Sequence, residues 1–143
     1  MNTERLRKQL QRHEGWEEKP YKDSVGVLTI GYGRNLDDVG ISLEEGSFML
    51  ENDISTAESE CEKRFSFFSD LNDIRQEVLT NMMFNLGWPR LSGFKNMIAA
   101  LEEADYELAA AEMLDSKWHT QVKSRAEELA DQMRTGNEKK EEE

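Results

Sequence analysis

Three residues near the start of the chain have side chains and a spacing that could do chemistry. They are Glu14, Asp23 and Thr29, with eight residues between the carboxylates and five between Asp23 and Thr29. Two carboxyl groups and a hydroxyl brought together could divide general acid and base work between them. The commoner use of such residues is to cap a helix end and close a turn, and spacing alone does not lift them above it. Other chemistries fit less well. His13-Glu14 opens a zinc-protease motif that needs a second histidine at position 17, where Glu17 stands, and the chain has only His13 and His119. Asn35 to Gly40 starts like a calcium loop, but Gly46 occupies its twelfth position. Gly31-Tyr32-Gly33 has Leu36 where a dinucleotide fingerprint needs its third glycine, and no Gly-x-Ser-x-Gly elbow occurs. Neither a metal nor a cofactor is expected.

The elements that must position the three residues can be read from periodicity. Leu6, Leu10 and His13 recur at helical spacing among charged residues, predicting a helix over 3–13 with one buried face, ended by Gly15. Lys19-Pro20-Tyr21 favours extended backbone and Val25 to Tyr32 is β-prone, which predicts a small antiparallel sheet. Asn35 to Gly40 is turn chemistry, and Ser42 with Glu45 forms a capping box that starts a helix running to Arg64. Its stripe is Phe48, Ile54 and Cys61, with Leu50 and Ala57 beside it. A long helix after a small sheet suggests a connector between two lobes. Leu71, Ile74, Val78, Met82 and Leu86 predict a broad, buried central helix over 70–86, closed by Gly87-Trp88-Pro89. Further helices are expected from Ser92-Gly93-Phe94 to Leu101, from Tyr106 to Leu114, and over 116–135 with a break near Gln121. The tail 137–143 is charged, has no apolar anchor, and is expected to be disordered.

With 143 residues, 37% hydrophobic and 34% charged, the chain can form one packed domain or two small lobes. Cys61 is its only cysteine, which rules out an internal disulfide framework. No apolar run approaches the ~20 residues of a membrane span, so no membrane insertion is expected. The charged N-terminus lacks the apolar core of a signal peptide, so a cytoplasmic product is expected, needing a separate export route. A net charge of −12 disfavours nucleic acid and anionic membranes as partners. The excess is uneven: residues 1–40 carry 7 Lys+Arg against 7 Asp+Glu, 41–90 carry 4 against 10, and 91–143 carry 7 against 13.

The spaced Glu14, Asp23 and Thr29, set in Tyr21-Lys22-Asp23 and Thr29-Ile30-Gly31-Tyr32-Gly33, resemble the phage-type lysozymes, or endolysins, of glycoside hydrolase family 24. Asn81-Met82-Met83-Phe84-Asn85-Leu86-Gly87, Ser92-Gly93-Phe94, Ser116-Lys117-Trp118, Arg125-Ala126 and Arg134-Thr135-Gly136 follow in the family's order, so the resemblance covers nearly all of 1–136. It implies an α+β, mainly α, lysozyme-like fold. A single domain would comprise an N-terminal helix (1–13), a small β lobe (14–41), a connecting helix (42–64) and a helical lobe (65–136), with the tail beyond. It also implies hydrolysis of the β-1,4 bond between N-acetylmuramic acid and N-acetylglucosamine in peptidoglycan, with inversion, for host-cell lysis.

Carried over residue by residue, Glu14 matches the general acid, Asp23 the second carboxylate and Thr29 the hydroxyl that holds the attacking water. One carboxyl must stay protonated while the other stays ionised, and inverting enzymes keep the two ~6.5–9.5 Å apart. By the same resemblance Phe84 and Asn85 line the substrate cleft and Arg125 approaches Glu14. Arg34 stands where better-known relatives carry histidine, and Asp53 aligns with that histidine's partner, so an Arg34–Asp53 ion pair is expected. Peptidoglycan glycan strands are the implied partner, the protein acting as a monomer on the periplasmic wall after leaving the host cytoplasm. The alternatives are a non-catalytic wall-binding or regulatory descendant, to which the acidity points, and an acidic protein-interaction domain reusing the fold.

Overall fold

The computed structural model describes residues 1–139. Of the expected charged tail, 137–139 carry neither helix nor strand, and 140–143 lie outside the described residues. The fold is α+β with helices predominating, and the chain separates into two compact units, Met1–Met49 and a second beginning at Leu50.

In the first unit, α1 spans Thr3–Glu14. Asn2 caps its start by accepting from the Arg5 N–H at 2.9 Å, and Gly15, at φ +69°, caps its end. The expected buried face is not found, because no residue of α1 is buried. Leu6 and Leu10 border a shallow depression with Tyr32 instead. The reason is the size of the sheet, whose three short strands leave this unit with no fully buried apolar side chain. The strands β1 (Glu17–Lys22), β2 (Leu28–Gly31) and β3 (Arg34–Asn35) pair antiparallel in that order. Tyr21 faces Thr29 and Lys22 faces Leu28, while the register shifts between Glu17 and Tyr21. Pro20, which has no N–H to give the ladder, lies within that shift. On the other side of β2, Thr29 faces Asn35 and Ile30 faces Arg34.

The capping box forms as the sequence predicts. Glu45 N–H donates to Ser42 Oγ at 3.1 Å and Ser42 N–H to Glu45 Oε1 at 2.9 Å, starting α2, Leu43–Arg64. Only Ala57 and Cys61 of its expected stripe are buried; Phe48 is 70% exposed, and Leu50 and Ile54 are exposed too. Helical spacing places residues on a common face but does not say whether anything covers it.

The second unit holds the core. After a 3₁₀ turn at Phe68–Asp70 come α3 (Asp73–Leu86), α4 (Trp88–Leu91), α5 (Lys95–Glu102), α6 (Tyr106–Leu114), α7 (Lys117–Val122) and α8 (Ser124–Thr135). Val78, Leu79 and Met82 of α3 pack with Met97, Leu101, Met113 and Met133 at no more than 2% exposure. Ala109 and Ala110 of α6 and Ala126 and Ala130 of α8 are also buried, and such small side chains let two helices approach closely. Cys61 is enclosed, and burial pushes its thiol up to about 11, so it packs as a small apolar residue.

Candidate active site

The turn between β1 and β2 is built on Asp23. Its Oδ1 accepts from the N–H groups of Val25 at 3.0 Å and Val27 at 2.9 Å, while its own N–H donates to the Val27 carbonyl at 2.9 Å. Gly26, at φ +85°, supplies the left-handed residue that closes this turn. Both bonds fall on Oδ1 and none of the described residues donates to Oδ2, so one oxygen anchors the carboxyl and the other is left without a protein donor. Thr29 then joins the same peptide: its Oγ1 donates to the Val27 carbonyl at 2.9 Å. At 5% exposure Thr29 is the buried polar residue of this unit. Its hydroxyl hydrogen is committed to a backbone oxygen, so only its lone pairs remain, and these can accept from a water. The structure therefore brings Asp23 and Thr29 together through one residue, Val27, whose N–H holds the carboxylate and whose carbonyl holds the hydroxyl.

Glu14 reaches the other end of the same sheet. It is the last residue of α1, and its carboxyl lies against Gly33 in the two-residue loop between β2 and β3. Trp16 packs on that loop as well, its ring 5.0 Å from that of Tyr32 and its edge against Gly31. Of the eight positions singled out from the sequence, Asp23, Thr29 and Arg34 thus belong to one small sheet and its loops, and Glu14, at the end of α1, lies against one of those loops.

Arg34 has a partner other than the one expected. Its guanidinium meets both carboxylate oxygens of Glu45, Nη1 at 2.7 Å and Nη2 at 2.6 Å, and Nη1 also donates to the Gly40 carbonyl at 3.1 Å. Glu45 takes the place of Asp53 because the capping box already holds its carboxylate beside Ser42, so a fork-shaped donor meets a preset acceptor. First the Arg34 bond and then the Ser42 bonds draw the Glu45 carboxyl down to about 2. Asp53 lies in the second unit and borders a recess with Phe84 and Trp88.

Within the second unit, Phe84 and Arg125 line one groove of about 510 Å³, with Leu50, Ile54, Phe68 and Asn81 on its walls. Phe84 is half-exposed there, and Arg125 makes no ion pair among the described residues. Asn85 turns elsewhere. Its Oδ1 accepts from the Trp118 indole N–H at 2.8 Å, which leaves the amide N–H₂ free to donate. Trp118 borders a second recess, of about 790 Å³, with Phe94, Lys95 and Lys117. Sequence reasoning quoted Ser116-Lys117-Trp118 without giving Trp118 a role; the only signal was a tryptophan, whose N–H seeks a partner when buried. In the sequence Gly33 stands out only within Gly31-Tyr32-Gly33, and Glu45 only as the capping partner of Ser42. Among the described residues no group of three or more His, Cys, Asp or Glu side chains could hold a metal ion.

The chain is similar to the probable T4-type lysozyme 2 of Dictyostelium discoideum, 28% identical over 92% of this chain and 94% of that protein. It is similar too to the probable T4-type lysozyme 1 of the same organism, at 26% identity over the same shares. The pre-baseplate central spike protein Gp5 of Enterobacteria phage T4 is 27% identical over 90% of this chain, which corresponds to 27% of that protein's length. The model of the family described as Phage lysozyme matches residues 11–135, which takes in Glu14, Asp23, Thr29, Phe84 and Arg125. This chain therefore belongs to the phage lysozyme family of cell-wall hydrolases.

Proposed function

We propose that the protein cleaves the β-1,4 bond between N-acetylmuramic acid and N-acetylglucosamine by a single displacement that inverts the anomeric carbon. Glu14 gives its proton to the glycosidic oxygen as the bond to the sugar breaks. Asp23, through the Oδ2 that none of the described residues occupies, takes a proton from a water that attacks the opposite face, and its charge offsets the oxocarbenium-like transition state. Thr29 accepts a hydrogen bond from that water and so orients a lone pair toward the sugar. Phe84, Asn85 and Arg125 are proposed as substrate contacts. No cofactor takes part, the protein acts as a monomer, and its biological outcome is lysis of a host whose wall it reaches from the cytoplasm by a separate route.

The observation that carries this reading is the anchoring of both side chains on one residue, Val27, the carboxylate on its N–H and the hydroxyl on its carbonyl. It fixes a carboxylate and a hydroxyl on one hairpin and orients the hydroxyl as an acceptor, which is what a water-activating pair requires. The test is release of reducing ends from purified peptidoglycan by the parent, Glu14→Gln and Asp23→Asn. Each variant should fall ~10²–10⁴-fold while keeping the parent's thermal midpoint. Proton NMR of the first product should show the α-anomer. A folded parent that binds peptidoglycan and releases no reducing ends would establish the non-catalytic descendant instead.

A further inference from the structure

Gly33 has φ +77°, and a methyl group built on its Cα would lie 2.7 Å from Oε2 of Glu14, 2.9 Å from Cδ and 3.2 Å from Cγ. Nonbonded carbon contacts have their optimum near ~3.5–4.0 Å, so the end of the Glu14 side chain fills the space that any side chain at 33 would need. We infer that Gly33 is a positioning residue for the catalytic acid: its bare backbone face seats the Glu14 carboxyl and holds it at the β2–β3 loop. This rests on the assignment of Glu14 as the acid.

The inference differs from the ordinary demand that a positive φ makes for glycine, and the chain contains the control that separates the two. Gly40 has φ +66°, with nothing within 4 Å of where its Cβ would stand. An alanine at 40 therefore meets backbone strain alone, whereas an alanine at 33 meets the same strain and an occupied seat. The occupant at 33 is the tip of an exposed, flexible side chain. It can swing aside, so the methyl group displaces the acid and leaves the hairpin standing. Proton transfer depends on aim, and displacement of a reacting group by ~1 Å can lower a rate ~10²-fold.

The experiment compares Gly33→Ala and Gly40→Ala with the parent on peptidoglycan. Their thermal midpoints should fall by similar amounts. In Gly33→Ala, kcat should drop ~10²-fold with KM changed less than ~2-fold, the signature of an interaction lost only in the transition state. The alkaline limb of its kcat–pH profile should also move, while Gly40→Ala stays on the parent curve. Equal kcat in the two variants overturns the inference, whether both are active or both impaired. Should the parent prove inert, the acid assignment fails separately and the seat is still read by NMR titration of the Glu14 ¹³Cδ. A curve displaced in Gly33→Ala alone upholds the seat; coincident curves in all three proteins overturn it.

Discussion

Arg34 and Glu45 lock the small sheet to the start of α2, and the lock should have a pH signature. The Glu45 carboxyl titrates near 2 in the folded chain against an ordinary 4.5, because Arg34 and Ser42 bond its ionised form. A depressed carboxyl contributes stability that is complete above its unfolded value and lost as pH falls through the folded one. Thermal melts of the parent and Glu45→Gln should therefore differ by a constant amount above about pH 5 and converge between 4.5 and about 2. Asp53→Asn, which leaves the fork intact, should track the parent throughout. Both side chains are partly exposed, so added salt should reduce the difference. The pairing shows where residue-level reading stops. Glu14, Asp23 and Thr29 had the residue types and spacing for chemistry but took roles only from the family resemblance, which alone picked out Arg34, while the Ser42–Glu45 box was legible from its local pattern. Which acid Arg34 would meet depended on a turn at Asn35–Gly40 that places the Gly40 carbonyl and Glu45 beside it, and no one-dimensional spacing encodes that. Gly33 was illegible for a similar reason, since its role lies in the atoms that approach it.

At the scale of elements, α7 is a six-residue helix too short to be stable by itself, and side chains tie it to its neighbours. Trp118 reaches Asn85 at the end of α3, and His119 bridges α6 to α8. Its Nδ1 lies 2.8 Å from the Leu114 carbonyl and its Nε2 lies 3.1 Å from Glu127 Oε1. Both partners only accept, so both bonds form only when the ring carries two protons. Glu127 first, and then the Leu114 carbonyl, raise the His119 pKa above its ordinary 6.5. A raised histidine contributes stability that is complete below the unfolded value and lost as pH rises through the folded one. The stability gap between the parent and His119→Gln should accordingly be widest near about pH 5 and shrink as pH rises past the shifted value. A gap that stays flat across that range, measured by chemical denaturation, would refute the clamp. The helices themselves were largely legible. Asp105, Asn72 and Ser116 each cap a helix where a polar residue precedes an apolar period, and Tyr106–Leu114 falls where its alanine-rich run predicts. The break expected near Gln121 falls at Lys123, whose φ of +28° interrupts the run without a glycine to signal it. The short α4 was missed because Gly-Trp-Pro reads as a stop, although proline suits the first turn of a new helix.

For the whole molecule, the charge asymmetry along the sequence follows the structural boundary. Met1–Met49 carries 7 Lys+Arg against 9 Asp+Glu, whereas Leu50–Glu143 carries 11 against 21. The unit with Glu14, Asp23 and Thr29 is thus close to neutral, while the unit with the apolar core is strongly acidic. An acidic enzyme approaching an anionic wall is repelled at long range, and salt screens that repulsion with a Debye length of ~10 Å at 0.1 M. The proton transfers take place over far shorter distances. Raising salt from ~10 mM to ~150 mM should therefore increase kcat/KM through faster encounter and leave kcat within ~2-fold. Replacing the exposed Glu51, Glu62 and Glu103 by glutamine should raise kcat/KM at low salt and flatten its salt dependence. Because none of these residues belongs to the elements that carry the proposed acid and water-holding residues, the triple variant should keep the parent's pH profile. A kcat/KM that falls as salt rises would mean that local cations, such as Arg125, Lys95 and Lys117 in the grooves of the second unit, govern encounter more than the net charge does.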